Sequence, residues 1–95
     1  MKISDVDNEI NDLIIEFSLM LKKLSKEDYE SIIEPTKIKL KILMSLSEKF
    51  YKKIETKQDV LNDVLGSCRD MNMSKSNALF ECAKYLVAYN ELQNE

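Results

Sequence analysis

Residues 25–43 read SKEDYESIIEPTKIKLKIL, and the proline at position 35 interrupts an otherwise helical pattern. Proline removes one backbone hydrogen bond from a helix and crowds the carbonyl group four residues earlier, at a cost of about 3 kcal/mol. One alternative is a short helix over 26–33, followed by a new helix whose first residue is Pro35. The other alternative is a single helix from 26 to about 55 that bends at the proline.

The apolar register favours the second alternative. Positions suited to a buried seam recur in alternating steps of four and three straight through the proline, at Tyr29, Ile33, Thr36, Leu40, Leu43, Ser47, Phe50 and Ile54. A true break between two helices usually resets the phase of such a pattern. We therefore predict one helix that is kinked at Pro35.

Two further segments complete the helical prediction. An apolar seam with steps of three and four predicts a first helix over 5–24. The pattern after 57 favours a continuous or barely broken helix over 57–91, although the polar stretch MNMSKSNA at 71–78 leaves open a division into two. Gly66 inside this segment is explained either by close helix packing or by a bend. We expect a single all-α domain over 1–95, an antiparallel bundle of three long helices.

The composition argues against an enzyme. The chain has no histidine, which is the commonest general base and metal ligand. A structural zinc site needs four nitrogen or sulfur ligands, and Cys68 and Cys82 supply only two thiols. We therefore expect no catalytic activity, no metal site and no cofactor. The acidic start MKISDVDNEI is unlike a signal peptide, so we expect a cytoplasmic protein with free thiols.

A basic segment lies between acidic flanks. Residues 34–57 carry seven lysines and three glutamates, within a chain of net charge -3. A possible basic docking strip for an acidic protein or nucleic acid comprises Lys37, Lys41, Lys49, Lys52 and Lys53. Nucleic acid is the less favoured partner, because base reading relies heavily on arginine and Arg69 is the only one present. The structural alternative is that the strip neutralises acidic neighbouring helices.

The second predicted helix has more apolar residues than one seam requires. Because surplus apolar surface needs cover, we predict a surface that binds an amphipathic helix of a protein partner. Two tyrosines one turn apart near the end of the chain are candidate aromatic anchors, with the edge of the core as the structural alternative. The predicted partner-binding residues are Ile38, Ile42, Leu46, Tyr85 and Tyr89.

Two long stretches share a pattern with a known family. They are LKKLSKEDYESIIEPTKIKLKILMSLSEKF at 21–50 and VLGSCRDMNMSKSNALFECAKYL at 64–86. The residues that carry the pattern are Asp28, Tyr29 and Glu30, then Leu40, Leu43 and Leu46, then Asn72 and Asn77. In these features the chain resembles the flagellar export chaperones of the type III pathway, although Ala78 stands where that family often has glycine. The resemblance implies a small helical protein that binds an amphipathic helix of an export substrate and keeps it unassembled.

The leading hypothesis is thus a small non-catalytic adaptor or chaperone-like protein. One alternative is a structural subunit of a homodimer or larger complex, formed through coiled-coil-like helix pairing. The other is a regulator that uses the lysine strip over 37–53 to bind nucleic acid or an acidic protein. No apolar run approaches the roughly 18 residues of a membrane span, so we expect no membrane partner.

Overall fold

The computed structural model describes residues 3–50 and 53–94, which form four helices and no strand. They are α1 (Ile3–Leu21), α2 (Lys26–Phe50), α3 (Lys57–Asp70) and α4 (Lys75–Gln93). The prediction of an all-α chain is confirmed. The third predicted helix is divided into α3 and α4, which is the alternative that the polar stretch at 71–78 left open.

Helix α4 lies at the centre of the fold. Its consecutive residues Leu86, Val87, Ala88 and Tyr89 are all buried. Because successive residues of a helix point about 100° apart, four buried neighbours require cover on every side of the helix. Helices α1, α2 and α3 supply that cover, each packing directly against α4. The outer helices therefore need little contact with one another.

The contact between α1 and α4 runs in the same order along both helices. Near their starts, the Lys75 ammonium lies 2.9 Å from the Glu9 carboxylate. Further along, the rings of Phe17 and Phe80 meet edge to face with centroids 5.4 Å apart. The two helices therefore run in the same direction, unlike the first and last helices of an up-down-up-down bundle of four, which run in opposite directions.

The break between α3 and α4 is centred on Asn72, whose φ of 54° lies in the left-handed region. The amides of Asn72 and Met73 donate to the carbonyl oxygens of Arg69 and Cys68, at 3.1 and 3.0 Å. This pair of bonds is the Schellman motif that ends many helices. The hydroxyl of Ser74 then caps α4 by accepting the backbone amide three residues later. Asparagine adopts the left-handed conformation more readily than most residues. Asn72 can therefore end α3 although the spacing of the apolar residues continues on both sides of it.

Helix α2 continues through Pro35, as predicted. The amide that proline lacks would have bonded to the carbonyl of Ser31, and both residues are exposed. Water can therefore satisfy that carbonyl, which keeps the cost of the proline low. On the buried side, the Thr36 hydroxyl donates to the carbonyl of Ile32 at 3.1 Å. The predicted bend at Pro35 stays a prediction.

The end of α2 at Phe50 falls short of the predicted position, and the chain that follows is used to start α3. Thr56 and Asp59 form a capping box, in which the Thr56 hydroxyl accepts the Asp59 amide and the Asp59 carboxylate accepts the Thr56 amide. The Tyr89 hydroxyl donates to the carbonyl of Glu55 at 2.6 Å, which ties this linker to α4.

Gly66 lies within α3, and a β-carbon added there would meet no heavy atom within 4 Å. The close-packing explanation for this glycine is therefore wrong. We expect Gly66→Ala to raise the free energy of unfolding by about 1 kcal/mol, because alanine has the higher helix propensity. Urea unfolding measures the change. The matched variant Ser67→Ala, at an exposed neighbouring position, should give about half that gain. Destabilisation by Gly66→Ala would show that the site is filled.

The left-handed backbone at Asn72 generates a second expectation. A β-branched residue is strained in this conformation, so Asn72→Val should lower the free energy of unfolding by about 1–2 kcal/mol. Glycine adopts it freely, so Asn72→Gly should leave stability unchanged or slightly higher. Thermal unfolding followed by circular dichroism compares the two variants. Equal effects of valine and glycine would contradict the role given to this residue.

Candidate functional site

Four exposed apolar side chains follow one another along α2. Ile38, Ile42, Leu46 and Phe50 are 55%, 56%, 49% and 58% exposed. Because they are spaced by four residues, they form one continuous ridge that drifts by about 40° per step around the helix. We call these four residues the α2 ridge.

The opposite face of α2 already packs against the core. Ile33 and Leu40 are fully buried there, and Thr36 is 4% exposed. Helix α2 thus has two apolar faces, of which the fold uses only one. The α2 ridge is not required to cover α4.

Phe50, the last residue of α2, is 58% exposed, and the Lys49 ammonium lies 5.7 Å from the centroid of its ring. The sequence pattern placed Phe50 in the core seam, and the structure corrects this.

A groove adjoins the α2 ridge, between α2 and α3 and above α4, with a volume of about 430 Å³. It exists because α2 and α3 pack on α4 rather than on each other. Leu43 lines the groove from α2, Val64 from α3 and Tyr85 from α4. Met71 and Met73 border it at the end of α3, and Met71 is 70% exposed.

The structure brings most of the predicted partner-binding residues to one side of the molecule. Ile38, Ile42 and Leu46 lie on the ridge, and Tyr85 is half-buried in the groove wall. Burial raises the pKa of the Tyr85 hydroxyl, with a smaller contribution from neighbouring acidic groups, so it stays protonated. Tyr89 is different: it is 5% exposed and is removed from the predicted surface.

The lysine strip is only partly present as a surface. The Lys37 side chain is 11% exposed, and its ammonium lies 3.2 Å from Glu34 and 3.9 Å from Glu91. Lys37 therefore links α2 to α4 and is not available for docking, contrary to the prediction. Lys41 and Lys49 are exposed on α2.

The remaining two lysines of the strip lie beyond α2. Lys53 is exposed, and its ammonium lies 3.9 Å from the Glu55 carboxylate. Lys52 lies outside the described residues. No continuous row of the five predicted lysines is therefore established.

A polar cluster joins the start of α2 to the end of α4. The Tyr29 hydroxyl donates to the Glu91 carboxylate, which also lies beside the Lys37 ammonium. Burial, and next the hydrogen bond to Glu91, raise the pKa of Tyr29 to about 12. The cluster holds the two helices together.

The two cysteines are free thiols in the core, with Cys82 fully buried and Cys68 5% exposed. Burial raises the pKa of Cys82 to about 12 and also raises the pKa of Cys68. Because the thiolate is the reactive form, both groups are poor nucleophiles in the folded protein. In the described part of the chain, no three acidic or cysteine side chains come together as a metal site.

Comparisons with protein-family models, curated proteins and solved structures find no match to this chain. Within residues 3–50 and 53–94, no helix is long and apolar enough to cross a bilayer. The α2 ridge and its groove are therefore the features from which a function is argued.

The raised pKa of Tyr29 makes stability fall in alkaline solution. Below pH 10 the hydroxyl is protonated in both the folded and unfolded chain; between 10 and about 12 only the unfolded chain loses its proton, which favours unfolding. Urea unfolding of the native protein and of Tyr29→Phe should therefore show the native advantage shrinking across this window. A constant difference between the two proteins would contradict the raised pKa of Tyr29, and with it the burial and the hydrogen bond to Glu91 that cause it. Comparing the two cancels the ionisation of Cys82, which both retain.

Proposed function

We propose that this protein is a small, non-catalytic, cytoplasmic adaptor or chaperone-like protein that binds an amphipathic helix of a partner protein. The binding surface is the α2 ridge together with the adjoining groove. The observation that carries the proposal is a row of four side chains, each about half exposed, on a helix whose opposite face is already packed. Contiguous exposed apolar surface of this kind is typical of interaction sites.

The shape of the surface favours a helix over other ligands. A ridge of residues four apart packs into the matching groove of a second helix. The groove between α2 and α3 can accept anchoring side chains of that same partner helix, spaced three or four residues apart. Met71 and Met73 at its border are flexible, so they can adjust to anchors of different shape.

Magnitudes indicate that the partner must use both features. Full burial of an isoleucine or leucine side chain contributes about 1.5–3 kcal/mol, so each half-exposed ridge residue offers roughly 1 kcal/mol. The sum over the ridge is comparable to the lower estimates of what association costs, about 4 kcal/mol. Anchors placed against Leu43 and Tyr85 in the groove supply the further burial that stable binding requires.

The resemblance to flagellar export chaperones is compatible with this activity but does not carry the proposal. Of its leucines, only Leu46 lies on the ridge, whereas Leu40 is buried. Ser25 caps α2, its hydroxyl accepting the Asp28 amide at 3.3 Å and donating to the Asp28 carboxylate at 2.9 Å, and Tyr29 bonds to α4. Helix binding is therefore argued from the exposed face alone, and export is one setting in which it would operate.

Site-specific photo-cross-linking in the cells that make the protein tests the proposal. A photoreactive residue at position 42 should form a covalent adduct with a partner protein, because Ile42 lies mid-ridge. The matched control is position 62, where Asn62 is exposed on α3. A synthetic peptide of the cross-linked partner segment should then become helical on binding, and should bind the native protein but not Ile42→Glu.

Three results would count against helix binding: equal adducts from positions 42 and 62, a cross-linked segment that binds without forming helix, or unimpaired binding by Ile42→Glu. Circular dichroism establishes that each variant is folded. Because Ile42 is exposed, we expect its replacement to leave the unfolding transition nearly unchanged.

A further inference from the structure

A second exposed apolar strip lies on α1. Ile15 and Leu19, one turn apart, are 60% and 54% exposed. Asp12 and Glu16 are exposed on the same side of the helix. Helix α1 carries several acidic residues and no basic residue over its whole length, Ile3–Leu21. We call Asp12, Ile15, Glu16 and Leu19 the α1 edge.

The α2 ridge carries the opposite charge. Lys39 and Lys49 are exposed within the sector of the helix that holds the ridge. Between positions 35 and 50 the only acidic residue is Glu48, which an ideal helix places on the other side. The ridge is thus an apolar strip flanked by lysines, and the α1 edge is an apolar strip flanked by carboxylates.

We infer that the α2 ridge binds the α1 edge of a second copy of this chain. Ile15 and Leu19 of one copy would lie on the ridge of the other, with Asp12 and Glu16 beside its lysines. Ridge on ridge would place lysines against lysines, and edge on edge would place acids against acids. Repulsion between like charges disfavours both of those pairings, so the charges favour the pairing of the α2 ridge with the α1 edge.

The inference does not rest on the proposed function, but both use the same ridge. A partner helix and the α1 edge of a second copy compete for it, so self-association covers the ridge when no partner is present. The two strips are short and each contributes few side chains, so the contact is weak. Because the charges lie at the surface, it also weakens as salt is added, with a screening length of about 10 Å at 0.1 M.

Charge reversal on each strip gives a direct test. The ridge variant is Lys39→Glu with Lys49→Glu, and the edge variant is Asp12→Lys with Glu16→Lys. A third chain carries all four changes and keeps the native net charge of -3, because the two sets of reversals cancel. Sedimentation equilibrium from micromolar to millimolar protein, at low and high salt, measures the mass of each.

The native chain should gain mass with concentration at low salt and return to the monomer at high salt. The ridge variant and the edge variant should each stay monomeric, whereas their equimolar mixture and the four-change chain should associate again. A native chain that is monomeric throughout overturns the inference. So does association of either variant alone, or failure of the four-change chain to associate while folded, as judged by circular dichroism.

These outcomes are separable from those of the cross-linking test. Binding of the partner peptide by a native chain that stays monomeric would remove self-association and leave helix binding in place. Cross-links from position 42 that reach only a second copy of this chain would remove binding of a partner helix and leave self-association in place.

Discussion

The fold depends on the burial of α4 from every side. Four consecutive buried residues at 86–89 leave this stretch of the helix no face for water, and the three other helices pack against α4. Once each outer helix has given one apolar face to α4, the core is complete. The outer helices then have no need to close on one another, which leaves the groove between α2 and α3 and the unused face of α2. Both features of the candidate site thus follow from one packing requirement.

Much of the fold could be predicted from the sequence, because apolar periodicity and capping residues act locally. The passage of α2 through Pro35 follows from an unbroken register, and the start of α3 is marked by a local pair of capping residues, Thr56 and Asp59. The division between α3 and α4 could not be predicted in the same way. A single left-handed residue, Asn72, ends α3 while apolar residues on both sides keep their spacing.

The candidate site was predictable where it depends on surplus apolar residues within one helix, and not where it depends on how the helices pack around one another. Ile38, Ile42 and Leu46 stand off the main seam of α2, and they are exposed. The sequence predicts an exposed Tyr89 and a buried Phe50, whereas the structure buries Tyr89 and exposes Phe50. Tyr89 sits in a stretch of α4 that is buried on all sides, and Phe50 is the exposed last residue of α2. Neither circumstance is visible in the local sequence around those residues.

The central position of α4 also bears on how the chain reaches its native state during translation. The helix against which the other three pack is made after them, so α1, α2 and α3 leave the ribosome with their inner faces still in water. Native packing must wait until position 93 has emerged. For several seconds at ordinary elongation rates, the apolar inner faces of these helices are therefore accessible to factors that bind nascent chains.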